Sequence, residues 1–177
     1  ALEIGANVVL VVSAKADVKD EWKKTVEGAG NFSEYMFLDA YDLASNENVI
    51  KENRIENKKV VIFLTLQDLQ GNAIKDKHKE LFKEQIDLLI VDETHFGARA
   101  ESFGKILENA GYEKSDKTNI NKLDDENIDV NVAQEELKQI NARVRLHLSG
   151  TPYRILMSSE FEKEDIISFV QFSDIVK

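Results

Sequence analysis

Ile86-Asp87-Leu88-Leu89-Ile90-Val91 runs without a break into Asp92-Glu93-Thr94-His95. An apolar run this rich in branched aliphatic side chains suits a strand covered on both faces, as strands of a parallel sheet are. A rigid strand ending in two adjacent carboxylates aims them at a site above the sheet while its own backbone stays in the core. Successive side chains diverge, so the two acids can take different work. Asp92 can hold a magnesium ion through water, because this hard cation prefers oxygen ligands and keeps part of its hydration shell. Glu93 can orient and deprotonate an attacking water. His95 lies just beyond, placed to sense the state of that site through a hydrogen bond. The plainer alternative, a strand end with a solvated acidic turn, loses weight to that histidine. A zinc site fits less well: there is no His-Glu-x-x-His, and His78 and His147 stand in unrelated surroundings.

Working outward, residues 7–12 (NVVLVV) and 60–66 (VVIFLTL) repeat the buried-strand signature, and residues 34–38 and 144–148 are further strand candidates. Helices are predicted between them. Residues 17–27 place Val18, Trp22 and Val26 on one face. Residues 46–56 read as a polar, exposed helix, and residues 75–84 as a short charged one with Leu81 turned inward. Residues 99–109 and 163–172 complete the set. Strands alternating with amphipathic helices predict an α/β fold, a three-layer and mainly parallel sheet. Ligands collect at the carboxyl ends of strands in such sheets.

Composition sets outer bounds. The 177 residues carry 23 basic and 33 acidic side chains, a net charge of −10, which excludes a simple basic glove for nucleic acid. Residues 101–140 hold ten acidic and five basic side chains, half of that net charge. Within them, about 113–131 is poor in large apolar residues and reads as a surface excursion. With 42% hydrophobic and 32% charged residues, one globular domain with one good core is expected. The absence of cysteine excludes disulfides, thiolate zinc sites and cysteine nucleophiles. No apolar run approaches the ~20 residues of a membrane span, and no signal-peptide layout opens the chain. A cytoplasmic location is the expectation.

The stretch Val91-Asp92-Glu93-Thr94-His95 resembles motif II of the superfamily 2 helicases and translocases in its DEAH-like form, here DETH. Leu148-Ser149-Gly150-Thr151-Pro152, with the only proline of the chain, resembles motif III of the same group. Ser149 and Thr151 are small hydroxyls on a tight turn that can hydrogen-bond His95 and report nucleotide state to the nucleic-acid side. Leu10 to Lys15, followed by a helix, resembles motif Ia, where Ser13 offers a hydroxyl and Lys15 a cation to a backbone phosphate. Phe63 to Leu69 resembles the motif Ic region, in which Thr65 and Gln67 touch the strand. The set looks closest to motor subunits of type I or type III restriction enzymes and spans Val8 to Pro152. The resemblance implies a RecA-like P-loop NTPase domain that uses ATP and Mg2+, with Asp92 as magnesium ligand, Glu93 as base and DNA as partner. Strand opening and duplex translocation are both compatible with it.

Such motors hold the triphosphate in a Gly-x-x-x-x-Gly-Lys-Ser/Thr loop, and the sequence contains none. Gly28-Ala29-Gly30-Asn31 lacks both the lysine and a preceding strand. The expectation is therefore a partial motor domain, residues 1–177, in which residues 1–4 are the tail of a helix that follows the missing Walker A segment. A second RecA-like domain carrying an arginine finger is its implied partner. Without cradle and finger, negligible ATPase activity is expected of the isolated chain. A different class of reading is a degenerate binding or scaffold module without ATPase activity. A third is a nuclease, from the Glu-x-Lys spacing of Glu21-Trp22-Lys23, which a solvated helix face explains more simply.

Overall fold

The computed structural model describes residues 1–69, 78–92, 136–150, 164 and 166–168. Five strands form one all-parallel sheet: β1 (Val8–Ser13), β2 (Tyr35–Leu38), β3 (Lys59–Thr65), β4 (Ile86–Asp92) and β5 (Ala142–His147), in the order β2-β3-β1-β4-β5. Between them lie α1 (Lys19–Gly28), α2 (Ala40–Ser45), α3 (Val49–Ile55) and α4 (Lys79–Lys83), with short 3₁₀ turns at Gly30–Phe32 and Gln67–Leu69. The mainly parallel α/β sheet expected from the alternating pattern is what forms. The predicted helices at 99–109 and, almost wholly, 163–172 lie outside the described residues, as does the acidic excursion.

Both sheet faces are dry, which is why the central strands read as unbroken apolar runs. Val8, Leu10 and Val12 of β1 join Val60, Ile62 and Leu64 of β3 on one face, covered by Leu43 of α2, Ile50 of α3 and Leu81 of α4. Val9, Val11, Val61 and Phe63 fill the other with Leu88 and Ile90 of β4, and Val26 and Trp22 of α1, with Val18 at its N-cap, pack on them as predicted. Tyr35 is buried here too, and its hydroxyl donates to the Ala6 carbonyl at 2.6 Å. Strand β5 differs: its residues are exposed or half-buried, because it lies at the end of the strand order and carries Arg143 and Arg145.

Three features depart from the sequence expectation or go beyond it. Helix α2 was not anticipated; its start is a capping box in which Asp39 accepts from the Tyr41 and Asp42 amides while Asp42 accepts from the Asp39 amide. Helix α3 begins at Val49 rather than 46, and buries Val49, Ile50 and Asn53 instead of lying polar and exposed. Its first-turn amides are satisfied from another element: Glu80 of α4 accepts from Ile50 N at 2.8 Å and from Lys51 N at 2.7 Å. The third feature concerns residues 1–6, which are turn rather than a full helical turn. Ala6 N donates to Ala1 O at 3.0 Å and Gly5 N to Leu2 O at 2.9 Å, with Gly5 at φ +61°. That pair of bonds around a left-handed glycine has the Schellman pattern.

The amino ends of β1 and β4 are pinned together by one side chain. Asp87 Oδ2 accepts from Asn7 N and Val8 N, both at 2.9 Å, with the Arg54 guanidinium 3.9 Å from its other oxygen. No described helix is long and apolar enough to cross a membrane.

Candidate functional site

Parallel strands deliver all their carboxyl ends to one edge. Ser13 is the register partner of both Thr65 and Asp92, so β3, β1 and β4 place a threonine, a serine and an aspartate in one row there. By strand alternation the three side chains share the face that α1 covers. On the far side of β4, Val91 pairs with His147, and Leu148 N donates to Val91 O at 2.9 Å, which leads Ser149 to the same edge. The described candidates are therefore gathered, although residues 13 and 149 are far apart in the chain. Glu93, His95 and Thr151 lie outside the described residues.

The individual placements differ. Lys15 and Gln67 are exposed, while Thr65, Asp92 and Ser149 are half-buried. Ser13 has no exposed surface. Its oxygen accepts from Lys15 N at 3.2 Å and its hydroxyl lies 3.5 Å from Asp92 Oδ2. Thr65 is occupied in a capping box of its own: its hydroxyl donates to Asp68 Oδ2 at 2.8 Å and accepts from Asp68 N at 3.2 Å, while Thr65 N donates to the same carboxylate at 2.9 Å. Asp68 is the residue that sequence reasoning missed. The Thr-x-x-Asp spacing of residues 65–68 carries its signal, and it opens the 3₁₀ turn at Gln67–Leu69.

Charge is sparse among the described residues of this edge. Lys19, at the start of α1, pairs with Asp39 at 3.3 Å. Burial pushes the Asp39 carboxyl up, but the Asp42 and Tyr41 amides and the Lys19 ammonium outweigh it and hold the group below its ordinary value. His147 is shifted down, by burial first and by the neighbouring Arg145 second, so its ring favours the neutral form.

Asp92 offers hard carboxylate oxygens at a half-exposed strand end, while the Ser13 hydroxyl is without exposed surface and engaged within the fold. Such a carboxylate suits a magnesium ion held largely by its own waters. A protein-built cage is a different matter: no group of three or more His, Cys, Asp or Glu side chains able to hold a metal occurs among the described residues. Glu21 and Lys23, the nuclease spacing, are exposed on α1, where Lys23 pairs along the helix with Glu27 at 3.9 Å. A solvated face accounts for them.

Comparison with curated proteins and with solved structures gave no match. A family model does match, over residues 2–154, and its description is type III restriction enzyme, res subunit. The match covers every described element of the sheet, whose five parallel strands with flanking helices are consistent with a RecA-like α/β domain. The chain thus belongs to the family of type III restriction enzyme res subunits, a family of helicase-like motor subunits.

Proposed function

We propose that this chain is part of the first RecA-like domain of an ATP-dependent DNA translocase or helicase of restriction-enzyme type. The supporting observation is the row Thr65-Ser13-Asp92 at the carboxyl edge, flanked by exposed Lys15 and Gln67. On this proposal Asp92 faces the nucleotide and Lys15, two residues beyond the adjacent strand β1, faces the nucleic acid. In this reading Asp92 holds a hydrated magnesium ion, which when bound supplies charge neutralisation at the transferred phosphoryl group. Glu93 is the base that takes a proton from the attacking water, and His95 with Ser149 and Thr151 couples turnover to movement. Lys15 and Gln67 contact the strand directly. Ser13 and Thr65 act from inside, since their hydroxyls are engaged within the fold. The phosphate cradle and the arginine finger come from the Walker A segment and the second RecA-like domain of the intact protein.

Substitution tests the assignment of the base. In the intact protein, Glu93→Gln is expected to bind ATP with near-native affinity while steady-state hydrolysis falls at least ~10²-fold, the lower end of what a positioned general base supplies. A fully active Glu93→Gln enzyme removes Glu93 from that role. The same chain prepared alone is expected to hydrolyse ATP negligibly, because loss of an arginine finger alone removes ~10³–10⁵ in turnover. Robust hydrolysis by the isolated chain, abolished by Glu93→Gln, refutes the partial-domain reading.

A further inference from the structure

We infer that Ser13 is a positioning residue whose buried hydroxyl ties the Lys15 segment to the Asp92 carboxylate, giving the magnesium-facing and strand-facing groups a direct mechanical link. The inference rests on the reading of Asp92 as the magnesium-facing acid. A hydroxyl has one proton to give and two lone pairs to receive. At Ser13 one lone pair takes the Lys15 amide at 3.2 Å, and the side chain has no exposed surface, so water cannot take the proton. Asp92 Oδ2 at 3.5 Å is its acceptor among the described residues. A buried hydroxyl that cannot reach water donates within the protein.

That separation is long against the 2.7–2.8 Å typical of O–H···O bonds, so the bond is weak as it stands and responds to small displacements of Asp92. A carboxylate oxygen can serve both a cation's water and a hydroxyl, since the pair of oxygens offers about four acceptor sites. Engagement of Asp92 therefore shifts or tightens its hold on Ser13 rather than simply displacing it. The pull is transmitted to the Lys15 backbone through the second hydrogen bond. Only one side chain separates the two loops, because Ser13 and Asp92 are cross-strand partners in the sheet. This route runs on the β1 side of β4, whereas Ser149 follows β5 on the other side of β4.

The test is made on the intact protein by measuring oligonucleotide affinity by fluorescence anisotropy, with and without Mg2+ and a non-hydrolysable ATP analogue. A coupled pair of sites is expected to show a ratio of about 5-fold or more in the native protein, the lower range of allosteric coupling. Ser13→Ala is expected to bring the ratio below about 2-fold, and to abolish the nucleotide-dependent change in amide exchange at residues 13–16. Ser13→Cys keeps the buried volume but offers a weaker donor; it is expected to fall between the two and keeps the test decisive if the alanine variant does not fold. A native ratio and a native exchange response in these variants overturn the inference. Failure of the native protein to bind the Mg2+–nucleotide, or full binding by Asp92→Asn, is a different result, which removes the Asp92 reading itself and the link with it.

Discussion

Replacing Asp87 with alanine deletes an acceptor shared by two backbone amides at the amino end of the sheet. Both bonds are 2.9 Å long and both end on one charged oxygen, and Val8 has no exposed surface. Hydrogen bonds to a charged group contribute about 1.5–3 kcal/mol each. The site is part-buried, so the lower value applies, and two such bonds come to about 3 kcal/mol. The Arg54 guanidinium at 3.9 Å is partly solvated and adds at most a few tenths of a kcal/mol. The assay is urea unfolding followed by circular dichroism. With a slope of about 2 kcal/mol per molar urea, the midpoint is expected to drop by about 1.5 M. Asp87→Asn keeps an oxygen facing the amides and loses only the charge, so about 1 kcal/mol and about 0.5 M are expected. An alanine variant that loses less than ~1 kcal/mol refutes the amide clamp. An asparagine variant as damaged as the alanine one shows instead that the charge, through Arg54, is what matters.

Glu80→Gln leaves one carbonyl oxygen where two carboxylate oxygens capped α3, so one first-turn amide loses its partner and about 1–2 kcal/mol of stability is expected to go, measured by the same unfolding assay. Gly5→Ala meets no neighbouring atom but must hold φ +61°, so a loss of about 1 kcal/mol is expected, read as a fall in melting temperature; no loss shows that the Schellman turn does not form in solution. The ring of His147 is harder to protonate in the folded state than in the unfolded one, so below its ordinary value of 6.5 the unfolded chain binds more protons. Native stability is therefore expected to fall as pH drops through 6.5, and His147→Gln is expected to flatten that slope; an unchanged slope in the variant places the pH dependence elsewhere.

How much of this was legible in the sequence follows from where each determinant sits. Strands β1, β3 and β4 announce themselves because both faces are buried, and a buried face demands branched aliphatic side chains at every position. The carboxyl-edge gathering of Ser13, Thr65 and Asp92 follows from parallel strands alone. What the two hydroxyls do there does not. Ser13 depends on the register of β1 against β4, a relation between residues 79 apart. Helix α3 reads as exposed from its own residues because Glu80, its cap, lies 30 residues on. Helix α2 leaves no legible periodicity for a different reason: it is six residues long and buries only Leu43. Asp68 is the exception, since the Thr-x-x-Asp cap it forms with Thr65 lies within four consecutive residues and is legible locally.

The sparse charge of the described carboxyl-edge residues bears on how ionic strength enters the behaviour of this protein. Lys15 is exposed there, whereas Lys19 is paired with Asp39 and the Thr65 hydroxyl faces the Asp68 carboxylate. Each phosphate neutralised adds about −0.9 to the slope of log affinity against log salt on duplex DNA, and about −0.7 on a single strand. Among the described residues of this edge Lys15 is the one exposed cation outside an ion pair, and by itself it contributes a slope near −1. A steeper salt dependence in the intact protein would thus come from residues other than these, and comparing the slope of a Lys15→Ala variant with the native one weighs the two contributions separately.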